Sequence, residues 1–195
     1  MFIIEHRINS IRQLVKVPKK HGIEIDVQAQ GDVLVTGHDP GEGIEDISDF
    51  LGHFNHKFLA LNIKQEGIEV KLIQELKKRQ IEDFFLFDVS FPQIVRLSKQ
   101  YGEMLALRIS DMEDVPKIAY FRNRIKWLWV DCFYDVKEID SKEILLNSEF
   151  KKCLVSPELH SRLNKMEIEM RLNNLKKIHW SPDAVCTKIP GLWSQ

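Results

Sequence analysis

Two acidic side chains lie two residues apart in an otherwise apolar run, within GIEIDVQAQGDVLVTGHDP at positions 22–40. On an extended strand, positions i and i+2 point to the same face, so Glu24 and Asp26 project side by side. The same stretch returns to a histidine, His38, shortly afterwards. Carboxylate oxygens are preferred ligands of hard divalent cations, and imidazole exchanges protons near neutral pH. The stretch therefore predicts either a solvated acidic face or a cation site with an acid–base group beside it.

Further polar residues end other apolar runs and extend this chemistry. A second imidazole comes from His6, and a further oxygen for a cation comes from Asn62. Arg7, Lys64 and Arg108 supply fixed positive charge suited to a phosphate group. A histidine pair, a hard cation and cationic side chains together favour phosphodiester cleavage over glycoside or acyl chemistry.

The elements that must position these residues are short apolar runs alternating with amphipathic stretches. Residues 68–81 carry apolar side chains at helical spacing, and residues 92–102 begin with a proline and end with a glycine, as helices do. Near-continuous apolar strands between helices are typical of a parallel sheet in an α/β protein. The eight predicted parallel strands are 2–7, 22–27, 58–64, 84–90, 104–110, 127–133, 152–156 and 184–188.

One further run, 32–39, follows the second strand too closely for a parallel crossover. Gly31-Asp32 is a turn signal, so residues 22–39 are predicted to form a β-hairpin that brings His38 back toward the two carboxylates. Eight parallel units and one hairpin predict a small TIM (β/α)8 barrel, with residues 1–195 as a single domain. A doubly wound open sheet is the alternative. In a barrel the C-terminal strand ends converge on one face, where active sites are built.

Composition limits the partners of the chain. A net charge of −1 leaves no basic excess for a nucleic acid, and no apolar run is long enough for an integral membrane segment. The apolar start is too short for a signal peptide, so a cytoplasmic location is expected. The amphipathic helices leave room for a homodimer.

Cysteines and the other histidines are predicted to be structural. The three cysteines are far apart and lie in apolar runs, which indicates buried free thiols rather than a zinc site. Five histidines outside the stretches above are predicted to lie on the surface in helices or loops: His21, His53, His56, His160 and His179.

The residues that end the early strands carry a resemblance to a known family. The chain resembles the glycerophosphodiester phosphodiesterases, within the wider superfamily of phosphatidylinositol phospholipase C-like phosphodiesterases. Residues 6–40 carry the most specific part of this resemblance, and the rest of the chain is similar in outline. The matching motifs are His6-Arg7-Ile8, Glu24-Ile25-Asp26, His38-Asp39-Pro40, Asn62-Ile63-Lys64 and the final run 184–190.

The resemblance implies a metal-dependent hydrolase of lipid metabolism that cleaves a glycerol-type phosphodiester, a small molecule, to an alcohol and a phosphomonoester. It implies that Mg²⁺ or Ca²⁺ is bound by Glu24, Asp26 and Asn62, with Asp88 available as a compensating ligand. His6 and His38 would be the acid and base. The residues expected to contact the substrate are Arg7, Lys64, Arg108 and Lys188.

Three departures from the family pattern qualify this expectation. Ile8 replaces a glycine, Asn62 replaces a metal-binding glutamate, and Lys188 replaces an aspartate. An amide oxygen lacks the charge of a carboxylate, so the metal should be bound more weakly. Two alternatives stay open: a metal-independent lyase that forms a cyclic phosphate with Arg7, Lys64 and Arg108 in place of the metal, and a non-catalytic phosphate-binding barrel.

Overall fold

A computed structural model of the chain describes residues 1–112, 118–133, 149–160, 165–177 and 181–193. These residues form an α/β fold around one central sheet. The strands are β1 (Phe2–Glu5), β2 (Gly22–Gln30), β3 (Val33–Thr36), β4 (Glu45–Asp46), β5 (Leu59–Ile63), β6 (Phe84–Phe87), β7 (Ala106–Ser110), β8 (Trp127–Asp131), β9 (Lys151–Val155) and β10 (Ala184–Thr187). The helices are α1 (Ile11–Leu14), α2 (Ile47–His53), α3 (Glu69–Lys78), α4 (Phe91–Tyr101) and α5 (Lys165–Lys177).

Eight of these strands are parallel, in the order β6-β5-β2-β1-β10-β9-β8-β7. They are the eight strands that the apolar runs predict. Between the end strands β6 and β7, the described residues form one parallel bridge, Leu86 to Leu105. The structure therefore confirms the α/β class and the parallel sheet, whereas closure of the sheet into a barrel stays a prediction.

The predicted hairpin after the second parallel strand is present. β2 pairs antiparallel with β3, from Val27 opposite Thr36 to Gln30 opposite Val33. Gly31 has a φ of 59°, which glycine adopts without steric cost, and it allows the chain to reverse here. β3 then pairs antiparallel with the two-residue strand β4, which the sequence pattern does not predict.

Two helices, α3 and α4, form where the amphipathic pattern predicts helices over 68–81 and 92–102. α3 buries Leu72, Ile73 and Leu76 on one stripe. α4 has Pro92 in its first turn, where the missing N–H costs no helical hydrogen bond, and it ends before Gly102.

The sheet separates two apolar clusters. The larger lies between the sheet and the helices. The smaller lies on the other face of the strands and is rich in aromatic rings: Phe85 packs on Trp127 with ring centroids 5.2 Å apart, and Phe87 stacks on Trp129 at 3.8 Å. Cys132, Cys153 and Cys186 are buried, as predicted. We call the smaller cluster the inner cluster, because the polar residues described next continue its strand faces.

Candidate active site

Every second residue of each parallel strand lies on the inner face, and toward the C-terminal ends of the strands these residues change from apolar to polar. Ile4, Ala60, Ala106, Trp129 and Cys186 belong to the inner cluster. Two residues further on, the same faces hold polar side chains at the C-terminal ends of most strands. We call this set the polar rim: His6, Asn62, Arg108, Asp131 and Lys188, together with Glu24 and Asp26 of β2.

Glu24 is the most deeply buried acid of the polar rim, with 0% of its surface exposed. Its Oε2 accepts the backbone N–H of Arg7 at 2.6 Å and lies 3.7 Å from Nε2 of His6. Burial, and then repulsion from Asp26, raise the pKa of this carboxyl well above its usual range. Its other oxygen, Oε1, has no hydrogen-bond partner among the described residues.

Asp26 is also buried, but its carboxylate is surrounded by donors. Oδ2 accepts the side-chain amide of Asn9 at 2.8 Å and lies 3.5 Å from Nε of Arg7. Oδ1 lies 3.4 Å from Nζ of Lys64. The Asn9 side chain also accepts the backbone N–H of Asp26 at 2.9 Å, so these two residues hold each other through a pair of hydrogen bonds. These donors compensate for the burial of the Asp26 carboxylate.

Asn62 faces Asp26 directly across the β2–β5 pairing. It is 8% exposed, and its Oδ1 lacks a hydrogen-bond partner in the described part of the chain. A buried acceptor without a donor costs free energy unless a ligand satisfies it. With Glu24 Oε1, the polar rim thus has two unsatisfied buried oxygens beside the Asp26 carboxylate, a donor set that fits a hard cation such as Mg²⁺ or Ca²⁺.

Among the described residues, Asn62 rather than a further acid is the candidate for the third oxygen of such a site. Across residues 1–112, 118–133, 149–160, 165–177 and 181–193, no three His, Cys, Asp or Glu side chains form a group that could hold a metal. Asp88 instead lies against Arg108, with 2.9 Å between Oδ1 and Nη1. Compensation by Asp88 for the Asn62 replacement therefore finds no support in its contacts.

His6 sits where β1 ends, with a side chain that is 16% exposed. Its backbone N–H donates to the Thr187 carbonyl at 3.0 Å, which ties it to β10. Burial lowers the pKa of His6 to about 4, and repulsion from Lys188, Arg7 and His38 acts in the same direction. The imidazole is therefore neutral at pH 7 and can accept a proton.

His38 follows the β2–β3 hairpin, which reverses the chain. The Gly37 backbone N–H donates to the Asp26 carbonyl at 3.0 Å, so the chain is back beside β2 one residue before His38. The Nδ1 atom of His38 lies 2.7 Å from Oδ1 of Asp39, so this carboxylate orients the ring. The structure thus returns the chain to Asp26 just before His38, and the charge of His38 is the smallest of the influences that lower the pKa of His6.

The position after Arg7 does not require the glycine of the family pattern. Arg7 itself has a positive φ of 57°, and this conformation directs its N–H at Glu24. Ile8 is not among the residues with positive φ, and its N–H donates to the Glu24 carbonyl at 2.8 Å. The Ile8 replacement is therefore compatible with the local backbone.

Arg108 joins a group of ion-paired side chains at the polar rim. The sequence prediction gave roles to Arg108 and Asp88 but none to their partners Asp131 and His160. Arg108 lies 2.9 Å from Asp88 and 2.6 Å from Asp131, and Asp131 also lies 2.9 Å from Nε2 of His160. Asp131 is 1% exposed and continues the inner face of Trp127 and Trp129, so alternation along β8 could have identified it. His160 lies in a loop, and no sequence signal points to its partner.

The surface prediction for the five other histidines holds only in part. His53 is exposed, but His21 and His56 are buried, and the His160 side chain is only 13% exposed. His21 pairs with Glu5 at 2.7 Å, and His56 contacts the Val17 carbonyl at 3.1 Å, so a polar partner makes burial tolerable. His179 lies outside the described residues.

Lys188 follows β10 and is exposed, and its charge contributes to the lowered pKa of His6. Its backbone N–H donates to Oε1 of Glu158 at 3.2 Å, and the Thr187 hydroxyl donates to the same oxygen. Glu158 therefore fixes the end of β10, to which His6 is also tied.

The fold and the polar rim together define an α/β protein with a candidate active site at the C-terminal ends of parallel strands. One solved structure with this fold is a glycerophosphodiester phosphodiesterase from Agrobacterium tumefaciens str. C58, with a TM-score of 0.67, 13% identity and 98% of each chain covered. The resemblance inferred from residues 6–40 is thus confirmed in the fold. No protein-family model matches the chain, and no curated protein sequence matches it. The described helices include none that is long and apolar enough to cross a membrane.

Proposed function

We propose that this chain is a phosphodiester hydrolase that cleaves a glycerol-type phosphodiester to an alcohol and a phosphomonoester. The observation that carries the proposal is the unsatisfied Oε1 of the buried Glu24, beside a neutral His6 and next to Asp26, which the cations Arg7 and Lys64 flank. Acceptor oxygens for a cation, a base and positive charge for a phosphate are then available within one group of side chains. The fold shared with a glycerophosphodiester phosphodiesterase is consistent with this activity.

Glu24, Asp26 and Asn62 would hold the divalent cation, Mg²⁺ or Ca²⁺. When bound, it would stabilise negative charge that develops on the phosphate oxygens. Because Asn62 contributes no charge, the affinity should be lower than that of a site with three carboxylates.

His6 and His38 would move the protons of the reaction. His6 is neutral at pH 7, so it can take the proton of the attacking hydroxyl group as that oxygen bonds to phosphorus. His38 would give a proton to the leaving oxygen as the bond between phosphorus and that oxygen breaks. The attacking hydroxyl is that of water or of the neighbouring glycerol carbon. In the second case, water opens the cyclic phosphate in a further step.

The cationic residues would bind the phosphodiester. Arg7 and Lys64 face Asp26 at 3.5 and 3.4 Å, so they are held near the phosphate position before substrate arrives. Arg108, fixed between Asp88 and Asp131, and Lys188, close to His6, would contact the rest of the substrate.

The proposal is tested by hydrolysis of glycerophosphodiesters and of bis(p-nitrophenyl) phosphate with added Mg²⁺ or Ca²⁺. His6→Ala and His38→Ala should each lower kcat by about a hundredfold or more, the usual contribution of a general acid or base. His53→Ala, an exposed histidine on α2, is the matched control and should change kcat by less than about twofold. Full activity in both site variants would refute the proposed roles.

The same assay separates the two alternatives. Undiminished turnover in excess EDTA, with a cyclic phosphate as the final product, would indicate the metal-independent lyase. Tight binding of a phosphodiester by calorimetry without any product would indicate a non-catalytic binding protein.

We also propose that the eight parallel strands close into a (β/α)8 barrel, which the Leu86–Leu105 bridge between the end strands supports. A single domain over residues 1–195, a cytoplasmic location and a homodimer remain predictions from the sequence. Size-exclusion chromatography with light scattering tests the last of these.

A further inference from the structure

Residues 37–42, which we call the His38 loop, are organised around a single buried side chain. Gln28 lies on β2, two residues beyond Asp26 and on the same face, and is only 6% exposed. Its Nε2 lies 3.1 Å from the Gly37 carbonyl, 2.9 Å from the Asp39 carbonyl and 2.8 Å from the Glu42 carbonyl. These three carbonyls come from both ends and the centre of the His38 loop.

The other end of the Gln28 amide also binds the loop. Its Oε1 accepts the backbone N–H of Gly41 at 3.3 Å. This contact fixes the orientation of the amide, because a flipped group would set its oxygen against three carbonyl oxygens. Both ends of one side-chain amide are therefore used to hold the backbone that flanks His38.

The loop closes on itself from the solvent side as well. Oε2 of the exposed Glu42 accepts the backbone N–H of His38 at 3.0 Å and that of Asp39 at 3.2 Å. Gly37 passes so close to this segment that a Cβ atom would lie 1.7 Å from the Glu42 carbonyl oxygen. The backbone on both sides of His38 is thus held by hydrogen bonds from a buried and an exposed residue.

We infer that Gln28 is a positioning residue for His38: it sets the place of the imidazole through the loop backbone without touching the substrate. The inference rests on the proposed function, because it assumes that His38 transfers a proton. Without the hydrogen bonds from Gln28, the His38 loop would place the imidazole over a range of positions. Displacement of a reacting group by about 1 Å can cost about a hundredfold in rate.

Gln28→Glu tests the inference, because it keeps the size of the side chain but replaces the N–H donors with an oxygen. We expect kcat for bis(p-nitrophenyl) phosphate to fall by about 10- to 100-fold while KM changes by less than about threefold, since Arg7 and Lys64 bind the phosphate independently of the loop. Gln30→Glu is the matched control. Gln30 is exposed on the same strand face and donates one hydrogen bond to the same loop, at the Gly41 carbonyl, so kcat should change by less than about twofold.

A double-mutant cycle distinguishes positioning from a general loss of structure. In a His38→Ala background, Gln28→Glu should lower kcat by less than about twofold, because there is no longer an imidazole to position. If it lowers kcat as much there as in the wild type, Gln28 does not act through His38 and the inference is wrong.

A second variant keeps the test decisive if Gln28→Glu does not fold. Glu42→Ala removes the exposed half of the loop contacts without touching the core, and it should also lower kcat more than KM changes. Wild-type kcat in both Gln28→Glu and Glu42→Ala, with His38→Ala strongly impaired, would overturn the inference and leave the proposed function intact. Wild-type kcat in His38→Ala would instead remove the proposed role of His38 itself.

Discussion

Burial disfavours the charged forms of the two central residues of the polar rim, Glu24 and His6. The pKa of Glu24 is raised, and the pKa of His6 is lowered to about 4, in each case chiefly by burial. Burial therefore favours the neutral forms of both groups at the 3.7 Å contact between them. The protonation of both groups should therefore change when a charged ligand binds beside them.

Substitutions of Asn62 test the proposed metal site. Asn62→Glu adds a carboxylate beside Glu24 and Asp26, so the Kd for Mg²⁺ should fall by about tenfold, or about 1.4 kcal/mol. Asn62→Leu removes the oxygen and should weaken binding by at least as much. Isothermal titration of the protein with Mg²⁺ measures both, and unchanged affinity in both variants would show that Asn62 is not a ligand.

His56 gives a pH dependence of stability outside the polar rim. Burial lowers its pKa in the folded state, whereas in the unfolded chain it titrates near 6.5. The unfolded state therefore binds more protons as pH falls below about 6.5, and stability decreases by at most about 1.4 kcal/mol per pH unit for this one group.

The measurement is the free energy of unfolding from urea titrations at pH 7 and pH 5. His56→Gln should lose less stability than the wild type between these two values, because it removes the titrating group. His53→Gln is the matched control at an exposed position and should follow the wild type. Equal losses in all three proteins would show that His56 does not contribute.

At the scale of elements, patterns within a strand are predictable from sequence, whereas contacts between distant loops are not. Period and turn residues predict all eight parallel strands and the β2–β3 hairpin, because they depend on local alternation and on Gly31. By the same alternation, Glu24, Asp26 and Gln28 lie on one face of β2, so the face that Gln28 occupies is also predictable from the sequence. The three carbonyl partners of Gln28 are not, since they depend on how the His38 loop folds back.

Gly37 tests whether the hairpin places His38 for catalysis. In Gly37→Ala the new Cβ would collide with the Glu42 carbonyl, so the His38 loop must move. We expect kcat to fall by about tenfold or more, as for a displaced catalytic group. Gly52→Ala on α2 is the control, because the nearest atom to its Cβ is 4.0 Å away. Equal kcat in both variants would show that the geometry of the His38 loop does not affect catalysis.

At the scale of the molecule, the aromatic inner cluster supports the polar rim from below. Phe85 is fully buried and contacts Trp127, Trp129 and Phe87. Phe85→Ala should therefore lower the free energy of unfolding by about 3–5 kcal/mol, the usual cost of a large cavity. Phe91→Ala, half exposed at the start of α4, should cost much less. Denaturant titration compares them, and equal losses would contradict a structural role for the inner cluster.

The overall architecture was predictable because every parallel strand carries its own apolar signal, but the contact that would close the sheet was not. β6 and β7 are short, and the described residues join them by one backbone bridge. Whether two strands at the ends of a sheet meet depends on the tilt and spacing of all the others, which no local pattern specifies.

The ion pair between Asp88 and Arg108 supplements the sparse backbone pairing between β6 and β7. Asp88 follows β6 and Arg108 lies on β7, so their 2.9 Å contact spans the same junction as the Leu86–Leu105 bridge. These two side chains thus join β6 and β7 where backbone pairing between the strands is sparse. Acid neutralises carboxyl groups, and burial already raises the pKa of Asp88. Lowering the pH would therefore break this ion pair and weaken the junction between β6 and β7, whereas β1 and β2 are joined by backbone pairing that does not titrate.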